Sequence, residues 1–241
     1  MKLNTRILPD LTSLSRVVLE ETFSIIQEAV AKRGRFAIAL SGGHTPEKMF
    51  SLWSETAEYR DKTPWDRVHL FWSDERYVPE NDPQSNYNMA RETLISHVPI
   101  PAENVHPIPT NLSPPEACAR AYEADLLKFF GAEPPAFDVQ LLGIGPEGHT
   151  ASLFPGSAAL SEKLRWVAAV RVPAEPPQRI TLTPVVLNCG RNTFFLVAGE
   201  NKREILSAIR KEPTAETSHY PAVRINPAKT PVWFLDAAAA G

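Results

Sequence analysis

The sequence predicts a single α/β domain built on a mainly parallel sheet. Three observations predict it. Short apolar runs alternate along the chain with segments of helical period, the pattern of strand–helix–strand units. The apolar runs are hydrophobic almost throughout, as in strands covered on both faces. The 241 residues show no internal repeat, and their 23 prolines sit mostly between elements, with no stretch long enough to be an interdomain linker. The whole of 1–241 is therefore read as one domain.

Asp10 is placed to cap a first helix running towards Gly34, with Leu14, Val17, Val18, Ile25, Ile26, Ala29 and Val30 at helical spacing. Arg35 to Leu40 is a strand entering Ser41-Gly42-Gly43-His44. Thr45, followed by Pro46 at the first helical position, starts a second helix. Val68 to Trp72 is a second strand, with Asp74-Glu75-Arg76 lying just beyond its end. Helices are expected over Asn86 to Leu94 and Pro114 to Gly131. Phe137 to Leu142 is a third strand, ending in a glycine-rich turn. Trp166 to Val172, Thr193 to Val197 and Val232 to Leu235 are further strands, with a helix near Lys202 to Ile209. Ala237 to Gly241 reads as a frayed tail.

Composition removes several classes of function. With 43% hydrophobic and 22% charged residues, the chain is neither disordered nor short of core. A net charge of −3, with both signs scattered, argues against a nucleic-acid or anionic-membrane surface. No apolar run is long enough to span a bilayer, and the first residues lack the apolar region of a secretory signal. A cytoplasmic protein with reduced thiols at Cys118 and Cys189 is the expectation. Neither H-E-x-x-H nor ligand-like histidine spacing is present, so no metal is expected. No G-x-S-x-G elbow supports a serine nucleophile, and nothing marks Cys189 as a catalytic thiolate.

Ligands of open parallel sheets bind beyond the carboxyl ends of the strands. Three such ends carry unusual residues: Ser41 to Pro46, Ser73 to Arg76, and Gly143 to Pro155. In the first, Ser41, Gly42, Gly43 and Thr45 combine close backbone approach with a helix start, which suits an anion. A tight turn needing glycine for geometry alone explains that loop equally well. The last contains Gly143, Gly145 and Gly148 in G-x-G-x-x-G spacing after a strand. The strand lies mid-chain, Pro155 would break the required helix, and no acidic residue follows for a ribose, so a dinucleotide site is disfavoured. The same turn offers His149, an imidazole suited to taking a proton near neutrality, beside Glu147, whose carboxylate can orient it. Arg76, Arg179 and Lys202 also follow turns or start elements. Singly, each fits a solvated surface charge; together they suit a phosphate.

These segments resemble the 6-phosphogluconolactonase family, within the wider glucosamine-6-phosphate isomerase/lactonase group. The resemblance runs through ALSGGHTP (39–46), FWSDERYVP (71–79), SNYNMARETL (85–94), LLGIGPEGHTASLFPG (141–156), RITLTPVVLN (179–188) and FLVAGENKREIL (195–206). It implies a Rossmann-like α/β/α sandwich that binds a sugar phosphate and no nucleotide. It implies cofactor-free hydrolysis of 6-phospho-D-glucono-1,5-lactone in the oxidative pentose phosphate pathway. His149 is then the base that activates water. The Gly42-Gly43 loop, Arg76, Arg179 and Lys202 hold the phosphate, and Asp74 lines the sugar side. A monomer is expected, though the sequence leaves oligomeric state open. One departure stands out: the family usually shows Asp-Gly-His where this chain has Glu147-Gly148-His149. The alternatives are a glucosamine-6-phosphate deaminase, whose motif runs closer to GHIAFNEP, a non-catalytic sugar-phosphate sensor and, third, a nicotinamide-dependent oxidoreductase.

Overall fold

A computed structural model describes residues 2–212, 214 and 218–241. Six strands form one parallel sheet: β1 (Thr5–Leu8), β2 (Phe36–Leu40), β3 (Val68–Trp72), β5 (Val139–Leu142), β8 (Thr193–Val197) and β9 (Val232–Asp236), in the order β1-β9-β8-β5-β2-β3. The intervening β4 (Asp74–Arg76), with β6 (Val167–Arg171) and β7 (Gln178–Leu182), makes a second, antiparallel sheet ordered β4-β7-β6.

The expected α/β fold is present, and the large sheet has the buried strands predicted for it. All residues of β2, β5 and β8 are buried, as a sheet covered on both faces requires. The first helix, α1 (Leu11–Arg33), begins where Asp10 accepts from Ser13 N at 2.7 Å and ends at Gly34 with φ 72. It packs on α2 (His44–Glu55). The helices α3 (Asn86–Thr93), α4 (Pro115–Phe130) and α5 (Arg203–Arg210) fall where helical spacing places them. On α4, the buried Tyr122 hydroxyl bonds both the N–H and the carbonyl of Trp72, tying that helix to the end of β3.

Four local expectations need correction. The helix expected from Thr45 starts at His44 with Gly43 as its cap, so Pro46 is its third residue. The Ala237 to Gly241 segment is a helical turn, α6 (Ala237–Ala240), because Asp236 accepts from Ala239 N and buries that alanine. Asp74 to Arg76 is a strand and not a loop. The amino-terminal β1 was not anticipated, nor was β7; polar residues interrupt both, so neither shows the apolar run used to find the strands of the large sheet. Cys118 is buried and Cys189 half-buried, both as free thiols, and burial raises the pKa of each.

Two features of topology set up the site. Chain order runs outward through β2 and β3, then reverses to the other side of β2 with β5, so the switch point lies between β2 and β5. Clefts form at such points, outside the carboxyl ends of the strands. In addition, Ser73 alone separates β3 from β4. Its N–H bonds Leu40 O at 2.8 Å, and its carbonyl accepts Leu182 N at 2.8 Å, so one buried residue stitches the small sheet to the large one.

Candidate active site

The cleft at this switch point has a volume of about 360 Å³, within the range of small-molecule sites. Its floor comes from the loops after β2 and β5, and one wall from the antiparallel β4 and β7. Of the residues singled out by sequence, Ser41, Gly42, Gly43, Asp74, Arg76, His149, Arg179 and Lys202 all line it. Thr45 does not; it is the second residue of α2 and half-buried there. Glu147 also lies outside the lining but touches the histidine that is in it.

His149 is held on three sides. Its Nδ1 lies 2.9 Å from Glu147 Oε2, which makes Nδ1–H the donor and leaves Nε2 as the basic nitrogen. One ring face stacks on Phe154, with centroids 3.9 Å apart at 15°. The ring also lies so close to Gly145 that a Cβ there would be 1.9 Å from it. Burial is the main influence on the imidazole and lowers its pKa; Glu147 and Asp74 oppose this, and Lys202 adds to it. Burial therefore favours the neutral ring. Burial also acts on Glu147, but the hydrogen bonds it accepts from its own N–H and from His149 outweigh it, so its pKa is lowered. The extra methylene of Glu, relative to Asp, thus still reaches the imidazole.

The opposite wall carries the charge. Arg76 and Arg179 are directly paired across β4 and β7, so two guanidinium-bearing residues share one position of the ladder. Like charges placed opposite one another are unfavourable unless an anion lies between them. Neither arginine makes a salt bridge among the described residues. Arg179 is 7% exposed and donates to the carbonyls of Pro176 and Glu175, and burial lowers its pKa, with the Arg76 charge adding to the effect. Asp74 accepts from Ser152 Oγ at 2.6 Å. Lys202 donates to Ile144 O at 2.9 Å, and burial lowers its pKa while Glu147 raises it.

Sequence reasoning from single residues missed Asn86, Thr150, Ser152, Phe154 and Ala174 in the lining. For Thr150, Ser152 and Phe154 a signal existed, since they lie in the Gly143 to Pro155 loop already singled out. Ala151, also in the lining, has φ 46, an unfavourable conformation for alanine that turns the 149–154 segment back on itself. Gly42 is fixed by close approach, since a Cβ would lie 1.9 Å from Asn86 Oδ1. The G-x-G-x-x-G spacing has a different use from dinucleotide binding: it supplies the turn that seats His149, and no long helix follows it. Among the described residues no three His, Cys, Asp or Glu side chains are grouped as a metal would require.

Fold and cleft together define a class: a single-domain α/β protein with an imidazole and a cationic wall at the switch point of a parallel sheet. The chain belongs to the family described as glucosamine-6-phosphate isomerases/6-phosphogluconolactonase, whose model matches residues 9–233. It is 41% identical to the 6-phosphogluconolactonase of Nostoc sp. over 99% of this chain and 98% of that one. It is 38% identical to that of Mycobacterium tuberculosis over 100% and 98%. The solved 6-phosphogluconolactonase of Thermotoga maritima superimposes with a TM-score of 0.83 at 31% identity, covering 98% of this chain and 100% of that one. A monomeric glucosamine-6-phosphate deaminase shares the fold, with a TM-score of 0.80 at 20% identity.

Proposed function

We propose that this chain hydrolyses 6-phospho-D-glucono-1,5-lactone to 6-phospho-D-gluconate, in the oxidative pentose phosphate pathway, with His149 as general base. The observation that carries the reading is the pairing of one neutral, oriented imidazole with two adjacent arginines in a single cleft. Water attacks the lactone carbonyl as Nε2 of His149 takes its proton. The C–O bond to the ring oxygen then breaks, and that oxygen leaves as a hydroxyl carrying the proton returned by the imidazolium. A δ-lactone needs no cofactor for this, only a base and donors for the oxyanion.

Arg76 and Arg179, with the Ser41-Gly42-Gly43 loop, hold the phosphate, and binding energy from that remote end keeps the ring in place. Asp74, held by Ser152, lines the sugar side. Lys202 donates to Ile144 O at 2.9 Å, in the glycine turn against which the His149 ring lies, whereas Arg179 pairs with Arg76 across β4 and β7. This supports moving Lys202 from the phosphate to the developing oxyanion at the imidazole end. All these groups come from one chain, so a monomer suffices, and the free thiols suit a cytoplasmic setting. Among the described residues no helix is long and apolar enough to cross a membrane.

The test is hydrolysis of freshly generated 6-phosphogluconolactone, corrected for spontaneous opening, beside phosphate-free gluconolactone. A strong preference for the phosphorylated lactone is expected. Equal rates on both would remove the phosphate pocket, and ammonia release from glucosamine 6-phosphate would move the chain to the deaminase side of the family.

A further inference from the structure

We propose that Glu75, which no step of the hydrolysis uses, is a positioning residue: its buried carboxylate sets Arg76 and Asn86 against the cleft. The proposal rests on the reading of Arg76 as a phosphate ligand. Glu75 is 2% exposed and lies between the two cleft residues Asp74 and Arg76. Its Oε1 accepts from Arg76 N at 2.7 Å and Asn86 N at 2.8 Å. Its Oε2 accepts from Tyr87 N at 2.7 Å and Ser85 Oγ at 3.1 Å. One carboxylate therefore fastens the first turn of α3 to β4.

That junction reaches further into the site. Asn86 Nδ2 donates to Asp74 O at 2.9 Å, and its Oδ1 rests against Gly42. Four cleft residues from three elements (Gly42, Asp74, Arg76 and Asn86) thus meet around the acceptor that Glu75 supplies. Glu75 holds Arg76 by its backbone; the side chain itself has little support, since Nη1 donates to Gln84 O while the buried Nε has no protein partner. For the core alone, an apolar residue of similar volume would be as good or better than a buried carboxylate. The use of an ionised acceptor here is in the four donors that it aligns.

The charged groups about Glu75 are Asp74 and Arg76 on its own strand and Arg179 on β7, whereas α3 presents only Ser85, Asn86 and Tyr87. Burial raises its pKa to about 7, against the three backbone hydrogen bonds that lower it. Above that pH the carboxylate accepts all four donors. Below it, one oxygen carries a proton and the brace loosens. Glu75→Gln places an amide donor among the same donors at every pH, and so imitates the protonated acid.

The experiment is the Kd of 6-phosphogluconate, a stable ligand, for wild type and Glu75→Gln by calorimetry from pH 6 to 8, with melting curves at each pH. The ligand's own phosphate titrates in both proteins and cancels in the ratio. The variant should bind about tenfold more weakly at pH 8, the scale of one charge-assisted hydrogen bond, and about equally at pH 6. No loss at pH 8, or a loss matched by a fall in melting temperature, would overturn the proposal. A second readout needs neither ligand nor variant: the Arg76, Asn86 and Tyr87 amide signals of wild type should titrate together with a midpoint near 7. If they titrate apart from one another, no single carboxylate holds them. Failure of wild type to bind the ligand while these amides titrate would instead count against the phosphate assignment.

Discussion

The wall that carries His149 is made of turns, whereas the wall that carries Asp74, Arg76 and Arg179 is made of paired strands. On the first, backbone conformation sets the chemistry: the imidazole packs against both Gly145 and Phe154 because the turn lacks a Cβ at one point and doubles back at Ala151. On the second, hydrogen-bonded register sets it: Arg76 faces Arg179 because β4 and β7 pair. A turn can aim one side chain closely, and a ladder can hold two charges at a fixed separation. The comparison implies that damage to the first wall appears in kcat and damage to the second in KM.

The largest test of that division is His149→Asn, expected to lower kcat by about 10²–10⁴ with KM within a few-fold, from steady-state kinetics. Near-normal turnover would remove the base assignment. Gly145→Ala should follow closely, with kcat down by about 10² because the new methyl displaces the ring, while the melting temperature moves little. On the other wall, Arg179→Ala should raise KM for the phosphorylated lactone by about tenfold to a hundredfold, the cost of losing charge-assisted hydrogen bonds. Its kcat/KM on phosphate-free gluconolactone should be nearly unchanged; a fall in kcat alone would break the comparison. Lys202→Met sharpens it, since an oxyanion role predicts a loss of about tenfold or more in kcat and a phosphate role a rise in KM.

The smallest effect concerns pH. As the proposed base His149 acts in its neutral form, so kcat/KM is expected to fall on the acid side, with an inflection below the ordinary histidine value of 6.5 because burial lowers it. Glu147 opposes that lowering, so Glu147→Gln should shift the acid limb to still lower pH while reducing the plateau. A shift towards higher pH would show that the carboxylate does not act through the imidazole.

The two walls also differed in how far they could be read from sequence. The strands of the large sheet announce themselves as apolar runs, and strand-end logic placed Ser41 to Gly43 and His149 correctly at one rim. Of the small sheet only β6 was expected as a strand; β4 was hidden because Asp74-Glu75-Arg76 is short and charged, with no alternation to mark it as a strand. Asn86 was invisible for a related reason: a polar residue at a helix start reads as part of a cap, and its cleft contact depends on a strand ten residues earlier. Thr45 was drawn in by its place in a glycine loop, but the helix begins one residue sooner and turns it away. Ala237 to Ala240 looked like a tail because the cap that orders it, Asp236, sits at the end of a strand.

Ser73 has a consequence for how this molecule measures its ligand. With one residue between the sheets, pinned to Leu40 on one side and Leu182 on the other, there is no slack for the arginine ladder to swing away from the glycine turns. The gap between base and cation pair behaves as a caliper with a locked jaw. On the proposed reading, the span between the reacting carbonyl and the phosphate is then a property by which one phosphorylated lactone is expected to be told from another.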